Sequence, residues 1–326
     1  MIDLKQKILT VVEDDLNDIE KALADNLNPY LDLVSEVAGH LLFSGGKRLR
    51  PLLMVLSARL CGYTGNYQKT FSTSLEYLHT ATLLHDDLVD GATLRRGKEV
   101  AHANWGNSIT VLVGDYLLAR ALSIAAGTGR LRVIEILAKL TESMSQGEVH
   151  QLMRKGDVNL SEDEYLEVIR RKTAMLFEAA CRVSAIVADA PPETEKALAD
   201  YGYNLGIAFQ MADDLFDYTL TTTDFGKIVG ADLREGKMTL PVISALRNAT
   251  TADKELMVQI IKNPDFTDKD FRILIEALDK HGGLAYTRQA AASHIDQAKQ
   301  ALAIFESSQT RDIMLDIADY ALARRV

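Results

Sequence analysis

The sequence predicts an all-α fold, and three observations carry that reading. Ala, Leu, Glu and Lys, which cost little in a helix, are abundant, whereas aromatics make up only 6% of the 326 residues and proline occurs 6 times. A β-sandwich or barrel would want more aromatic and β-branched residues. Apolar residues recur at helical rather than alternating spacing along most of the chain, and two DDxxD runs sit inside such stretches.

Taken in order, the apolar positions from Ile2 to Leu23 form one helix, which Asn28-Pro29 ends. Residues 30–43 form a second, stopped by Ser44-Gly45-Gly46. Lys47, Arg48 and Arg50 follow, and Pro51 suits the first turn of the next helix. Cations this dense beside two glycines make either an anion-binding loop or a solvated basic one. Residues 51–60 are apolar enough for a core helix, and a break at 62–66 leads to a long helix over 68–89. It ends at Asp90-Gly91, after which residues 92–106, rich in glycine and charge, read as a loop.

Residues 109–127 and 131–152 carry apolar side chains on more than one face, as helices in the middle of a bundle would. Ser161 to Glu164 matches a capping box opening another helix. That helix leads to Arg170-Arg171-Lys172-Thr173, either a ligand contact or a charged helix end. Pro191-Pro192 starts the helix that ends at Asp217. Residues 219–241, with Lys227 and Lys237 each following a glycine, are the longest loop-like stretch, of the kind that forms lids or ligand loops. Helical patterning then runs to Ala323, with breaks at 263–264 and 282–283, and reads as scaffold. No linker divides the chain, so one domain over residues 1–326 is expected.

A formal charge of −10 without a dense basic run argues against a nucleic-acid partner. Cys61 and Cys181 stand alone, without CxxC or zinc spacing, and read as reduced thiols of a cytoplasmic protein. The acid-rich N-terminus lacks the apolar core of a signal peptide. Gly114, Asp115 and Arg120 interrupt the most apolar stretch, so any membrane contact is expected to be peripheral.

The chemistry lies in the aspartates. Asp86 and Asp90 are four residues apart, on one helical face, and can share a cation. Asp87 completes that cluster, which repels itself unless a cation is bound. Asp213, Asp214 and Asp217 repeat the pattern, which suggests two helices facing one pocket. Clustered hard oxygens suit Mg²⁺, which bridges carboxylates to substrate phosphates. A di-iron bundle would pair Glu with ExxH motifs, and the core helices carry none. Arg95 and Arg96 follow the first cluster, and guanidinium grips phosphate bidentately. A diphosphate held by metal and cations is a good leaving group, so a carbon–oxygen bond could ionise and leave a carbocation sheltered by the apolar helix before Asp86.

GGKRLRP at 45–51, HDDLVDGATLRRG at 85–97, GEVHQL at 147–152, RKT at 171–173, FQMADDLFD at 209–217 and GKMTLP at 236–241 resemble the trans-isoprenyl diphosphate synthases, in order, over about residues 40–245. The combination is specific where a lone DDxxD would not be. It implies an isoprenoid-synthase helical bundle around a central apolar cavity, usually a homodimer, condensing isopentenyl diphosphate head-to-tail with an allylic diphosphate. By the same resemblance Lys47, Arg50, His79 and Arg96 match isopentenyl diphosphate binding, and Arg95, Lys172, Thr173, Gln210, Lys227 and Lys237 match contacts to the allylic diphosphate. Asp86, Asp87, Asp90, Asp213, Asp214 and Asp217 match the ligands of about three Mg²⁺ ions. Asp86, Asp90, Asp213, Lys172 and Lys227 are the residues expected to carry catalysis, and released diphosphate would take the proton. No motif position is missing, which argues against a non-catalytic partner subunit. The second DDxxD and the GGKRLR loop argue against a terpene cyclase.

At a rise of about 1.5 Å per residue, the small residues Thr82 and Ala81 lie roughly 6 to 8 Å before Asp86 along the helix. They either pack against a neighbouring helix or leave an open shaft for the growing chain. Short-chain family members carry an aromatic near there, so small residues imply a long product. HTATLLHDDLVD is most similar to the octaprenyl members serving quinone side chains, with heptaprenyl, nonaprenyl, geranylgeranyl or farnesyl products as alternatives.

Overall fold

The computed structural model describes residues 4–219, 230–263 and 265–323. The fold is all-α, with about 80% of the chain helical, and it resolves into two compact units, each assembled from separate segments.

The first unit comprises Met1–Thr141, Leu176–Ala199 and Leu302–Asp316. Helices α1 (Leu4–Asn26), α2 (Asp32–Leu42), α3 (Leu49–Leu60) and α4 (Tyr67–Val89) fall close to the boundaries read from the sequence. Helix α4 is the spine, packed against α1, α2, α3 and α6 (Asn107–Gly127). Its residues 71–78 are all buried, so their polar groups must find partners inside. Ser72 and Thr73 donate back to the carbonyls of Gln68 and Lys69, and the Tyr77 hydroxyl donates to Leu23 O at 2.6 Å.

Two expectations change in this unit. Residues 92–106 are not a plain loop: they hold a hairpin, β1 (Leu94–Arg95) and β2 (Lys98–Glu99), and the short helix α5 (Ala101–Trp105). The turn residues Arg96 and Gly97 both have positive φ, 52° and 75°, the geometry that joins two twisted strands most tightly. Helix α6 is also not surrounded. Thr110, Val113, Leu117, Ala121 and Ala125 are buried, whereas Val111 and Leu112 lie outside, Leu112 at 65% exposure. This helix is long and apolar enough to cross a membrane by length and composition, with a mean hydropathy of 1.6. One face nevertheless packs on α4, and Arg120 donates to Asn26 O at 3.0 Å.

The second unit comprises Glu142–Met175, Asp200–Ala301 and Ile317–Val326. Helix α7 (Leu131–Met153) enters it, and α8 (Glu162–Ile169) follows, opened by the expected capping box between Ser161 and Glu164. The basic cluster is not a helix end. Residues Arg170–Ala174 form a π-helical turn that runs straight into α9 (Met175–Val187). Gly147 of α7 lies against that turn, where an added Cβ would come within 2.8 Å of Arg171 Cβ.

Helix α10 (Pro192–Thr219) ends in the second aspartate cluster. Within 219–241, the short helix α11 (Ala231–Arg234) replaces part of the expected loop. Helices α12 (Leu240–Asn248), α13 (Thr251–Lys262), α14 (Asp268–Lys280), α15 (Gly283–Ala301) and α16 (Gln309–Ala323) complete the chain. Ile207, Met211 and Leu215 of α10 join Leu240 and Ile243 of α12 and Leu274 and Leu278 of α14 in one core. Gly283 lets α15 start on α12, since a Cβ there would lie 2.2 Å from Pro241 O.

Candidate active site

In the first unit the glycine loop, α4 and the hairpin bring most of the predicted cations together. The chain leaves α2 through Gly45, at φ +90°, and enters α3 with Arg48 in the left-handed region at φ 45°. That turn sends Arg48 inward. Its guanidinium is 5% exposed and donates to Glu20 Oε1 at 2.5 Å, Glu76 Oε1 at 2.7 Å and Leu42 O at 2.5 Å. Of the three cations within four residues, Arg48 is thus a buried structural ion pair, while Lys47 is exposed and Arg50 half-buried.

Arg50 Nη1 lies 3.1 Å from His79 Nε2, and its guanidinium stacks 4.7 Å over the Phe177 ring. Burial, followed by the charges of Arg50, Arg96, Arg95 and Arg48, holds the His79 imidazole well below its ordinary pKa. A neutral ring accepts at Nε2 from the arginine, consistent with the contact. Arg96, placed by the hairpin turn, donates to Gly45 O, and its guanidinium packs beside Gly46, where an added Cβ would lie 3.3 Å from Nη1. Arg50, His79 and Arg96 are thus grouped at the start of α3, the middle of α4 and the hairpin, beside the loop that bears Lys47.

The first aspartate cluster divides by orientation. Asp86 and Asp90 are half-buried at the end of α4, one turn apart. Asp87 turns the other way, 2% exposed, and accepts from Arg95 Nε at 2.6 Å. Upstream, Ala81 is 2% exposed, and the Thr82 hydroxyl donates to its own helix at His79 O, 2.8 Å.

In the second unit a cleft is lined by Lys172, Thr173, Gln210, Asp214, Asp232 and Lys237, with an apolar wall that includes Leu160, Val168 and Met238. The π-helical turn presents Lys172, whose ammonium meets Glu148 Oε1 at 2.7 Å and Gln151 Oε1 at 3.0 Å on α7. Thr173 Oγ1 donates to Gln210 Oε1 at 2.8 Å. Asp213 is exposed, whereas Asp214 is buried and accepts from Gln210 at 2.9 Å and from the Tyr165 hydroxyl at 2.6 Å. Burial and then the charge of Asp232 push the Asp214 carboxyl above its usual range, and the two donors pull it back. Asp217 accepts from the backbone N–H of Ala231 at 3.0 Å and of Asp232 at 3.2 Å, anchoring α11. Lys237 Nζ donates to Glu235 Oε2 at 2.5 Å. Lys227 lies outside the described residues.

Sequence reasoning did not single out Tyr165, Asp232, or the pairing of Glu148 and Gln151 with Lys172. Only the last had a signal, the GEVHQL motif, whose Glu and Gln lie three apart on one face of α7. As to metal, all the cluster side chains offer hard oxygens, which fit Mg²⁺ or Ca²⁺. Among the described residues no three acidic, His or Cys side chains converge on one point. Water or phosphate oxygens would have to complete a shell begun by one or two carboxylates, as Mg²⁺ commonly requires.

The polyprenyl synthetase family model matches residues 31–278. The octaprenyl diphosphate synthase of Escherichia coli (strain K12) is 39% identical over 319 residues, 98% of each chain. Among solved structures, a polyprenyl synthase from Caulobacter crescentus CB15, complexed with calcium and isoprenyl diphosphate, superposes with a TM-score of 0.92 at 41% identity, covering 98% of both chains. A decaprenyl diphosphate synthase from Rhodobacter capsulatus does so with a TM-score of 0.92 at 40% identity, again over 98% of both. The motif resemblance and the all-helical isoprenoid-synthase fold are both borne out, and the chain belongs to the polyprenyl synthetase family.

Proposed function

We propose that the chain is a Mg²⁺-dependent, long-chain trans-polyprenyl diphosphate synthase that joins isopentenyl diphosphate to farnesyl diphosphate or a similar allylic primer, with octaprenyl diphosphate as its product. The observation that carries this reading is the grouping of Arg50, His79 and Arg96 around the Gly45-Gly46 loop, beside the Asp86 and Asp90 turn. An anion taken up at that loop meets fixed cations and a neutral histidine, which suits the diphosphate of isopentenyl diphosphate.

Lys172, Thr173, Gln210 and Lys237 line one cleft and form the allylic-diphosphate end of the site, with Arg95 and Lys227 assigned to the same substrate on the family motif. On the family motif Asp86 and Asp90 of the first unit and Asp213 of the second are assigned to metal. Asp87, Asp214 and Asp217 belong to the same motifs and also brace the fold, through Arg95, through Tyr165 and Gln210, and through the start of α11. Bound Mg²⁺ supplies charge neutralisation that makes diphosphate a leaving group. The assigned cations and donors hold the two substrates, the alkene of isopentenyl diphosphate attacks the allylic carbon, and apolar side chains keep water from the carbocation. Departing diphosphate takes the proton, so no protein nucleophile is needed.

Two further parts of the reading have their own support. The uncovered apolar face of α6, with Val111 and Leu112, suits a second copy of the chain, hence a homodimer. Cys61 and Cys181 are both unpaired, as a reducing cytoplasmic compartment would leave them.

The test is turnover of radiolabelled isopentenyl diphosphate with farnesyl diphosphate and Mg²⁺, repeated with chelator and with Asp86→Ala. Chelation should abolish product, and Asp86→Ala should lower turnover by at least about a hundredfold with an unchanged circular dichroism spectrum. Near-parental turnover of Asp86→Ala would refute the metal role.

A further inference from the structure

Four side chains of the second unit form a continuous hydrogen-bonded chain along the same cleft: Tyr165, Asp214, Gln210 and Thr173. The chain has a direction. The Tyr165 hydroxyl donates to Asp214 Oδ2, and the Gln210 amide nitrogen, which can only donate, faces Asp214 Oδ1. The Gln210 amide is therefore oriented with nitrogen toward Asp214 and oxygen toward Thr173. An amide oxygen only accepts, so the one hydroxyl proton of Thr173 is used on Gln210.

Thr173 thus has no proton left for an anion while this arrangement holds. Gln210 retains a second amide N–H, and both residues line the cleft. Tyr165 anchors the far end. It is 3% exposed, and its hydroxyl is spent on Asp214 at 2.6 Å.

We propose that Tyr165 is a positioning residue for the allylic-diphosphate end of the site. Through Asp214 it locks the Gln210 carboxamide, so that Gln210 is the donor to diphosphate and Thr173 the latch that holds its orientation. The inference rests on the functional reading above and deepens it, since the motif resemblance assigns Thr173 and Gln210 alike to substrate and gives Tyr165 no role.

The test is a double-variant cycle of Tyr165→Phe and Thr173→Val, reading KM for the allylic and for the isopentenyl substrate separately. Tyr165→Phe should raise KM for the allylic diphosphate about tenfold, the loss of roughly one charge-assisted hydrogen bond, and leave KM for isopentenyl diphosphate within about twofold. The double variant should be no worse than the worse single one, because either change unlatches the same amide. Thr173→Ser should restore parental values. An unchanged allylic KM in Tyr165→Phe, or effects of the two substitutions that multiply, would overturn the proposal. Should Tyr165→Phe fail to fold, Thr173→Val alone reads the latch, and an unchanged allylic KM in it would overturn the proposal. A parent enzyme with no turnover on any allylic primer would refute the functional reading itself, a result distinct from an active parent whose Tyr165→Phe variant is unaltered.

Discussion

Arg48 sits between Lys47 and Arg50 in the sequence and does something different from either. Its left-handed φ turns the guanidinium into the unit, where Glu20 and Glu76 neutralise it. Glu76 is 5% exposed, so Arg48→Met would leave it buried and unpaired, a loss on the order of 3–5 kcal/mol. A fall in melting temperature of several degrees should follow, larger than for Lys47→Met on the exposed neighbour. The aspartates divide in the same way. The sequence presents Asp86, Asp87 and Asp90 as equivalent, and likewise Asp213, Asp214 and Asp217. Arg95 holds Asp87, Tyr165 holds Asp214 and the Ala231 N–H holds Asp217, each from a part of the chain that the motif does not contain. Motif spacing exposes the carboxylates and the cations because chemistry demands those residue types. It cannot expose which of them the fold consumes for its own support.

Helix boundaries were legible because Pro, Gly and capping residues mark them locally, as at Ser161 and Pro192. The hairpin and the π-helical turn were not. A two-residue strand pair has no periodicity, and a π turn differs from an α turn only in its hydrogen-bond partners. Both sit where function is assigned. The hairpin aims Arg96 at the glycine loop, and the π turn aims Lys172 at Glu148. Gly147 makes room for that turn, so Gly147→Ala should destabilise by about 1–3 kcal/mol and raise KM for the allylic substrate. Gly127→Ala, also in a helix but with open space around it, should be neutral or stabilising by up to about 1 kcal/mol. Thermal melts of the pair decide the point, and equal destabilisation would refute the packing argument. Helix α6 was read as central to a bundle because it carries apolar side chains on more than one face. On the homodimer proposed above, Leu112→Glu should shift the chain toward monomer in analytical ultracentrifugation.

Each unit draws on three separated stretches of chain, so neither corresponds to a continuous segment that could be cut out. We propose that residues 1–326 behave as one domain, to be seen as a single calorimetric transition. Part of its pH response follows from two histidines. Burial and neighbouring arginines depress the pKa of His79, and burial depresses that of His294. A depressed folded value means that the unfolded chain takes up the proton first as pH falls through about 6.5, so their contribution to stability declines below that pH, while the raised Asp214 carboxyl contributes in the opposite sense. Between pH 7.5 and 5.5 the melting temperature of the parent should therefore fall relative to that of a His79→Gln, His294→Gln variant. The reach of the whole molecule is set in product length, where Ala81, small and buried on α4, is assigned to the path of the growing chain. The most direct measurement is chromatographic sizing of the product made from farnesyl diphosphate, labelled isopentenyl diphosphate and Mg²⁺ by the parent and by Ala81→Phe. Octaprenyl product from the parent and a shorter one from the variant is the predicted result. No elongation by the parent, or a parent that stops at geranylgeranyl length, would contradict it.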